Sequence, residues 1–163
     1  MIAPSVHKDS EALTMTIAVE LDATVDRAWQ LWADPRQLER WWGPPTHPMT
    51  VVDHDLTPGG RITHFMTDPE GHEHQGWWEV LAAEPPTRLE LRDGDIDENG
   101  VPNDGNAMTA MVVTFTARSG GRTLMALEIH FLSLAGMEQA AAMGMLEGIS
   151  IALDRIVAVL AAG

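Results

Sequence analysis

The stretch "TVDRAWQLWADPRQLERWWGPPTHP", residues 24–48, decides how this chain is read. Thr24 is placed to cap a helix, and Asp26 puts a carboxylate in the first turn, where the helix dipole favours it. Pro35 ends that run. A second short helix, "RQLERWW", follows and is stopped by Gly43, Pro44 and Pro45, because proline lacks the amide donor and restricts the residue before it. Two adjacent tryptophans on one helix point in different directions. One ring can therefore enter the core while the other covers something else.

On either side of this helical pair the pattern is β. Residues 13–23, "LTMTIAVELDA", alternate and are rich in β-branched side chains, which predicts a strand. Between residues 49 and 131, six strand-like runs are separated by "TPGG", "DPEG", "EPPT", "DENG" and "RSGG", where Gly and Pro supply turn dihedrals. Short connections of this kind predict an antiparallel meander. At the end of the chain Leu146, Ile149, Leu153, Ile156 and Leu160 recur at steps of three and four, predicting one long helix over about residues 134–161. The fold class is thus α+β: a curved antiparallel sheet around a long C-terminal helix, with two short helices between the first and second strands. At 163 residues the chain fits a single domain over 1–163, its first 12 residues expected to be a flexible lead.

Composition narrows function. No cysteine is present, which removes disulfides, thiolate nucleophiles and Cys-based zinc sites. Ten basic against 24 acidic residues give a net charge of −14, a surface that repels phosphate backbones and anionic lipids, so neither nucleic acid nor membrane is expected as a partner. The start, "MIAPSVHKDSEALT", lacks a basic, then apolar, secretory pattern, and no segment approaches the ~20 apolar residues of a spanning helix. A soluble cytoplasmic protein is the expectation.

A helix about 10 Å across does not fully cover a curved sheet of several strands, so a cavity between them is expected. Gly144 and Gly148, one turn apart and flanked by Met143, Met145 and Leu146, leave a bare groove on the closing helix. That groove serves either close packing or a ligand. Of the histidines, His64 lies between Ile62 and Met66 and is expected to face the cavity, whereas His130 alternates out of the apolar set Met125, Leu127, Ile129 and Phe131. A tight hairpin at "DPEG" would set Phe65 opposite His74 and His64 opposite Gln75, turning His64 away from His72 and His74. No third ligand then joins His72 and His74, and no zinc site is expected. In "DGDIDENGVPND", Asp93, Asp95 and Asp97 are spaced as in a calcium loop, but Glu98 holds the place of the turn glycine and Asp104 that of the closing glutamate. No metal and no cofactor are expected, and no phosphate loop, dinucleotide fingerprint or nucleophile elbow occurs.

Several motifs together resemble one family. "TVDRAWQLWADPRQLERWWGP", "DLTPGGRITHFMTDPEG" and "EPPTRLEL" are similar to the opening helix pair, the Gly-Gly strand with its Asp-x-x-Gly hairpin, and the Pro-Pro-x-x-Leu turn of the START-like, helix-grip (SRPBCC) superfamily. Within it, the resemblance is to the family named for the activator of the heat-shock protein 90 ATPase, over about residues 16–160. It implies a helix-grip fold and a cavity whose end is bordered by one of Trp41 and Trp42. Trp78 and Ile149 depart from the family pattern and would reshape that cavity. The ligand-binding set is expected to be Trp42, His64, Met66, Trp78, Met111, Met145, Gly148 and Ile149, around a small hydrophobic or amphipathic molecule. The alternative is an enzyme, of cyclase, hydratase or condensation type, with His64 as general acid or base. Chaperone regulation follows from the family name only. A homodimer is compatible with all three.

Overall fold

A computed structural model describes residues 5–42, 46–96, 102–103, 108–131, 133–142 and 145–162. The strands among them are β1 (Ser5–Asp9), β2 (Thr14–Leu21), β3 (Met49–His54), β4 (Arg61–Thr67), β5 (Glu73–Glu84), β6 (Arg88–Ile96), β7 (Pro102–Asn103), β8 (Met108–Arg118) and β9 (Arg122–Phe131). All pair antiparallel in one sheet, in the order β1-β2-β9-β8-β6-β5-β4-β3, with β7 on β6. The helices are α1 (Val25–Ala33), α2 (Pro35–Trp41), α3 (Leu134–Ala142) and α4 (Met145–Ala162). This is the curved, helix-grip α+β fold expected from the sequence.

Alternation builds the core. Met15, Ile17, Val19 and Leu21 of β2 face inward beside Met125, Leu127, Ile129 and Phe131 of β9, with Met15 opposite Ile129 and Val19 opposite Met125. From the helical side Leu31, Trp32, Leu38, Leu153 and Ile156 meet them, all nearly inaccessible to solvent. Burying each such side chain is worth about 1.5–3 kcal/mol, which is what holds the helices on the sheet. The two short helices are fixed more specifically. Thr24 accepts the Arg27 amide at 3.3 Å and Asp34 accepts that of Arg36 at 3.0 Å, so Pro35 does not merely end α1 but sits in the first turn of α2. Glu39 ties α2 to the sheet, accepting the Val51 amide at 2.6 Å while pairing with Arg36 at 3.1 Å.

Two expectations are corrected. Residues 5–9 are not a free lead: they form edge strand β1, paired from Ser5 opposite Ala18 to Asp9 opposite Thr14. Their side chains are mostly exposed, so no hydrophobic pattern announces them; backbone pairing and the Asp9 carboxylate, which accepts the Glu11 and Ala12 amides, hold the hairpin. The closing segment is helical in both of its described parts, α3 and α4, as expected; residues 143–144 between them lie outside the described residues. The β4–β5 hairpin is one residue longer than a tight turn. Asp68 and His72 close it, and Gly71 adopts a left-handed φ of 90° within it. Met66 therefore stands opposite His74 and His64 opposite Gly76, which puts His64 and His74 on the same face of the sheet. Of the acidic stretch, Asp93 and Asp95 lie in β6, while Asp97, Glu98 and Asp104 fall outside the described residues.

Candidate functional site

The tryptophan pair at the end of α2 divides its labour as its helical geometry requires. Trp41 is 1% exposed and its indole Nε1 donates to the Leu31 carbonyl at 2.8 Å, anchoring α2 to α1. Trp42, half-buried, caps the helix and turns toward the sheet. Its ring meets those of Trp32, Trp41 and Trp78 edge-on at 6.0, 5.4 and 4.8 Å, and Trp78 in turn meets the His64 imidazole at 5.1 Å. Edge-to-face contacts of this kind add about 0.5–1.5 kcal/mol each beyond burial. A continuous aromatic wall thus runs from α1 through α2 to β5 and ends on His64.

His64 stands at the end of that wall. It is 9% exposed on the core face of β4, and neither ring nitrogen has a hydrogen-bond partner among the described residues. Gly76, directly opposite on β5, makes room for it: a Cβ at that position would lie 2.8 Å from the imidazole Cε1. Desolvation pulls the imidazole pKa down from 6.5 to about 4, so His64 is neutral at physiological pH, with one nitrogen donating and one accepting. Trp32 is the second such group; its indole Nε1 is buried and unpartnered among the described residues, although its carbonyl contacts His54 Nε2 at 3.0 Å. A buried polar atom left unpaired costs about 1–3 kcal/mol, so these atoms mark places where a guest's polar group would be favoured.

The other expected residues are distributed as follows. Trp78 and Met111 are buried on the same face, Met66 is half-buried on β4, and Ile149 of α4 packs partly buried against the core. Met145 opens α4, its side chain outside the description. Gly148 is exposed and a Cβ there would find nothing within 4 Å, so no close packing is seen at this position; Gly144 lies outside the described residues. His130 lies on the opposite face and pairs with Glu128 at 2.7 Å. Sequence reasoning missed Gly76 and Trp32. The lone glycine inside a strand pattern was a usable signal for close approach; nothing in the sequence separates Trp32 from an ordinary core aromatic. A cleft of about 260 Å³ lined by Leu21, Asp22, Val157, Leu160 and Ala161 contains none of these residues. It borders β2, separated in the sheet from β4 by β9, β8, β6 and β5.

Comparison with known proteins places the chain. A family model described as "Activator of Hsp90 ATPase homolog 1-like protein" matches residues 22–161. The crystal structure of protein Ms6760 from Mycobacterium smegmatis is 45% identical, with 97% of each chain covered and a TM-score of 0.85. The solution structure of a protein from Arthrobacter aurescens is 44% identical over 99% of this chain and 94% of its own, with a TM-score of 0.89. An AHSA1 protein from Silicibacter pomeroyi, 20% identical over 91% of this chain and 97% of its own, shares the fold with a TM-score of 0.68. No curated protein matches. Among the described residues no helix is long and apolar enough to cross a membrane. By the family match over most of its length, the chain belongs to the activator of Hsp90 ATPase homolog 1-like family of the helix-grip superfamily.

Proposed function

We propose that the protein binds a small amphipathic molecule on the helix-facing side of its sheet, with His64 as the polar anchor and Trp42, Trp78, Met66, Met111 and Ile149 as apolar walls. The observation that carries this reading is the unpartnered imidazole in its glycine-floored niche. A neutral histidine offers a donor and an acceptor at once, and apolar walls with few polar groups are the usual make-up of a small-molecule site. The same observation weighs against acid-base catalysis. No described carboxylate hydrogen-bonds to His64, and an imidazole held near pH 4 is a weak base where a catalytic one is tuned toward the working pH.

The test uses two probes of similar shape, 1-naphthol and naphthalene, titrated against the protein by quenching of tryptophan fluorescence. Wild type is expected to bind one equivalent of 1-naphthol. Its preference for 1-naphthol over naphthalene should exceed that of His64→Leu by about tenfold, the worth of one net hydrogen bond. Failure of both probes to bind, or an equal preference in both proteins, would overturn the proposal.

A further inference from the structure

The tip of the β4–β5 hairpin carries a second, separate constellation. Its sequence is "DPEGHEH", residues 68–74, and the ligand atoms offered by Asp68, Glu70 and His72 lie within 4.8 Å of one another. His72 Nδ1 is 3.6 Å from Asp68 Oδ2 and 3.6 Å from Glu70 Oε2. His74, from the strand, lies outside that mutually close group but touches one of its members: its Nε2 is 2.9 Å from the same Asp68 Oδ2. We propose that these four side chains bind one divalent transition-metal ion of the zinc class.

The geometry fits. Two ligand atoms 3.6 Å apart, each about 2.1 Å from an ion, subtend roughly 118° at it, near the tetrahedral angle. The closer His74–Asp68 pair subtends roughly 87°, and the His74 ring must turn toward Glu70 and His72 to share the ion with them. The turn also preorganises its ligands. Asp68 Oδ1 accepts the amides of Glu70 and His72, both at 2.9 Å, which fixes the carboxylate and directs Oδ2 toward the imidazoles. Gly71, in its left-handed conformation, folds the chain so that Glu70 and His72 meet on one side. A third imidazole, His47, approaches the His74 ring at 6.5 Å with its Nδ1 engaged by the Thr46 hydroxyl at 2.8 Å.

The donor set names the metal class. Two imidazoles and two carboxylates suit zinc, copper or nickel, whereas calcium takes six to eight oxygens and magnesium an oxygen octahedron. The net charge of −14 raises the local concentration of any cation, but the imidazoles supply the selectivity. The proposal departs from the expectation of no zinc site at a definite point. The sequence reading sought a third ligand on a strand face, whereas the proposal takes Asp68 and Glu70 from the turn itself.

Isothermal titration of the full chain with zinc chloride tests the site, with cobalt(II) visible absorption reporting four-coordinate geometry. Glu70 and His72 are exposed side chains to which no described turn hydrogen bond is made, so Glu70→Gln and His72→Gln keep the hairpin, as far-UV circular dichroism verifies. Wild type is expected to take up one zinc per chain that excess calcium does not displace. Each variant should bind at least about tenfold more weakly. Absence of one-to-one zinc binding, unchanged affinity in either variant, or displacement by calcium would overturn the proposal.

Discussion

Replacing His64 by leucine isolates the electrostatics of the buried imidazole. Above pH 6.5 both folded and unfolded chains hold a neutral His64. As pH falls through 6.5 the unfolded chain takes up a proton that the folded chain refuses, because desolvation keeps its pKa at about 4. Stability is therefore lost as the medium is acidified from 6.5 toward 4, and the loss levels off once the folded form also protonates. Between about pH 7.5 and about pH 4.5 the contribution amounts to about 2.5 kcal/mol, at about 1.4 kcal/mol per pH unit. Other groups add an acid dependence of their own. Asp68, held at about 2 chiefly by its hydrogen bond to His74, and Asp34, lowered chiefly by Gln37, lose stability in the same direction as they protonate. The variant shares those terms, so the difference between the two proteins is the measured quantity. At neutral pH leucine also removes the unpartnered nitrogens, and a gain of about 1–3 kcal/mol is expected, several degrees in Tm at about 2–4 °C per kcal/mol for a chain of this size. Urea unfolding followed by circular dichroism across the pH series provides both numbers. Parallel pH curves for wild type and variant, or a variant less stable at neutral pH, would show that the imidazole has a partner in the folded protein and refute the reasoning.

Two further substitutions probe the surroundings of the site. Gly148→Leu adds a side chain into open space and gains up to about 1 kcal/mol of helix propensity, so thermal unfolding should show Tm unchanged or raised; a clear fall would mean that the glycine is a packing contact after all. Gly76→Ala places a methyl group 2.8 Å from His64 Cε1 and pushes the ring out of its niche. The buried ring must shift to admit the methyl group, an overpacking cost of about 1–3 kcal/mol, and 1-naphthol affinity should fall in protein that remains folded by circular dichroism; an unchanged affinity would detach the niche from binding.

The parts of the fold that were legible are those in which local pattern and tertiary burial agree. Alternation in β2 and β9 and the capped helix pair predicted elements that the structure shows almost residue for residue, because one face of each must be apolar for the layers to pack. Edge strand β1 was not legible. An edge strand exposed on both faces is held by backbone hydrogen bonds, and these leave no trace in side-chain type.

The candidate site was legible only where backbone direction did not have to be counted across a turn. The Trp41–Trp42 pair could be divided into a core ring and a bordering ring, since adjacent residues on a helix diverge whatever surrounds them. The pairing across β4 and β5 depended on one residue of turn length. Because side chains alternate every residue, that single residue moves His74 from the far face to the face of His64, and Gly76 from a diagonal neighbour to the floor beneath the imidazole. The extra residue is what the Asp68 carboxylate requires: two amides, of Glu70 and His72, must converge on one oxygen, and a two-residue turn presents no such pair. A side chain that organises a turn thus sets the register of the strands beyond it, and with the register it sets which histidine meets the aromatic wall and which meets the carboxylates at the tip.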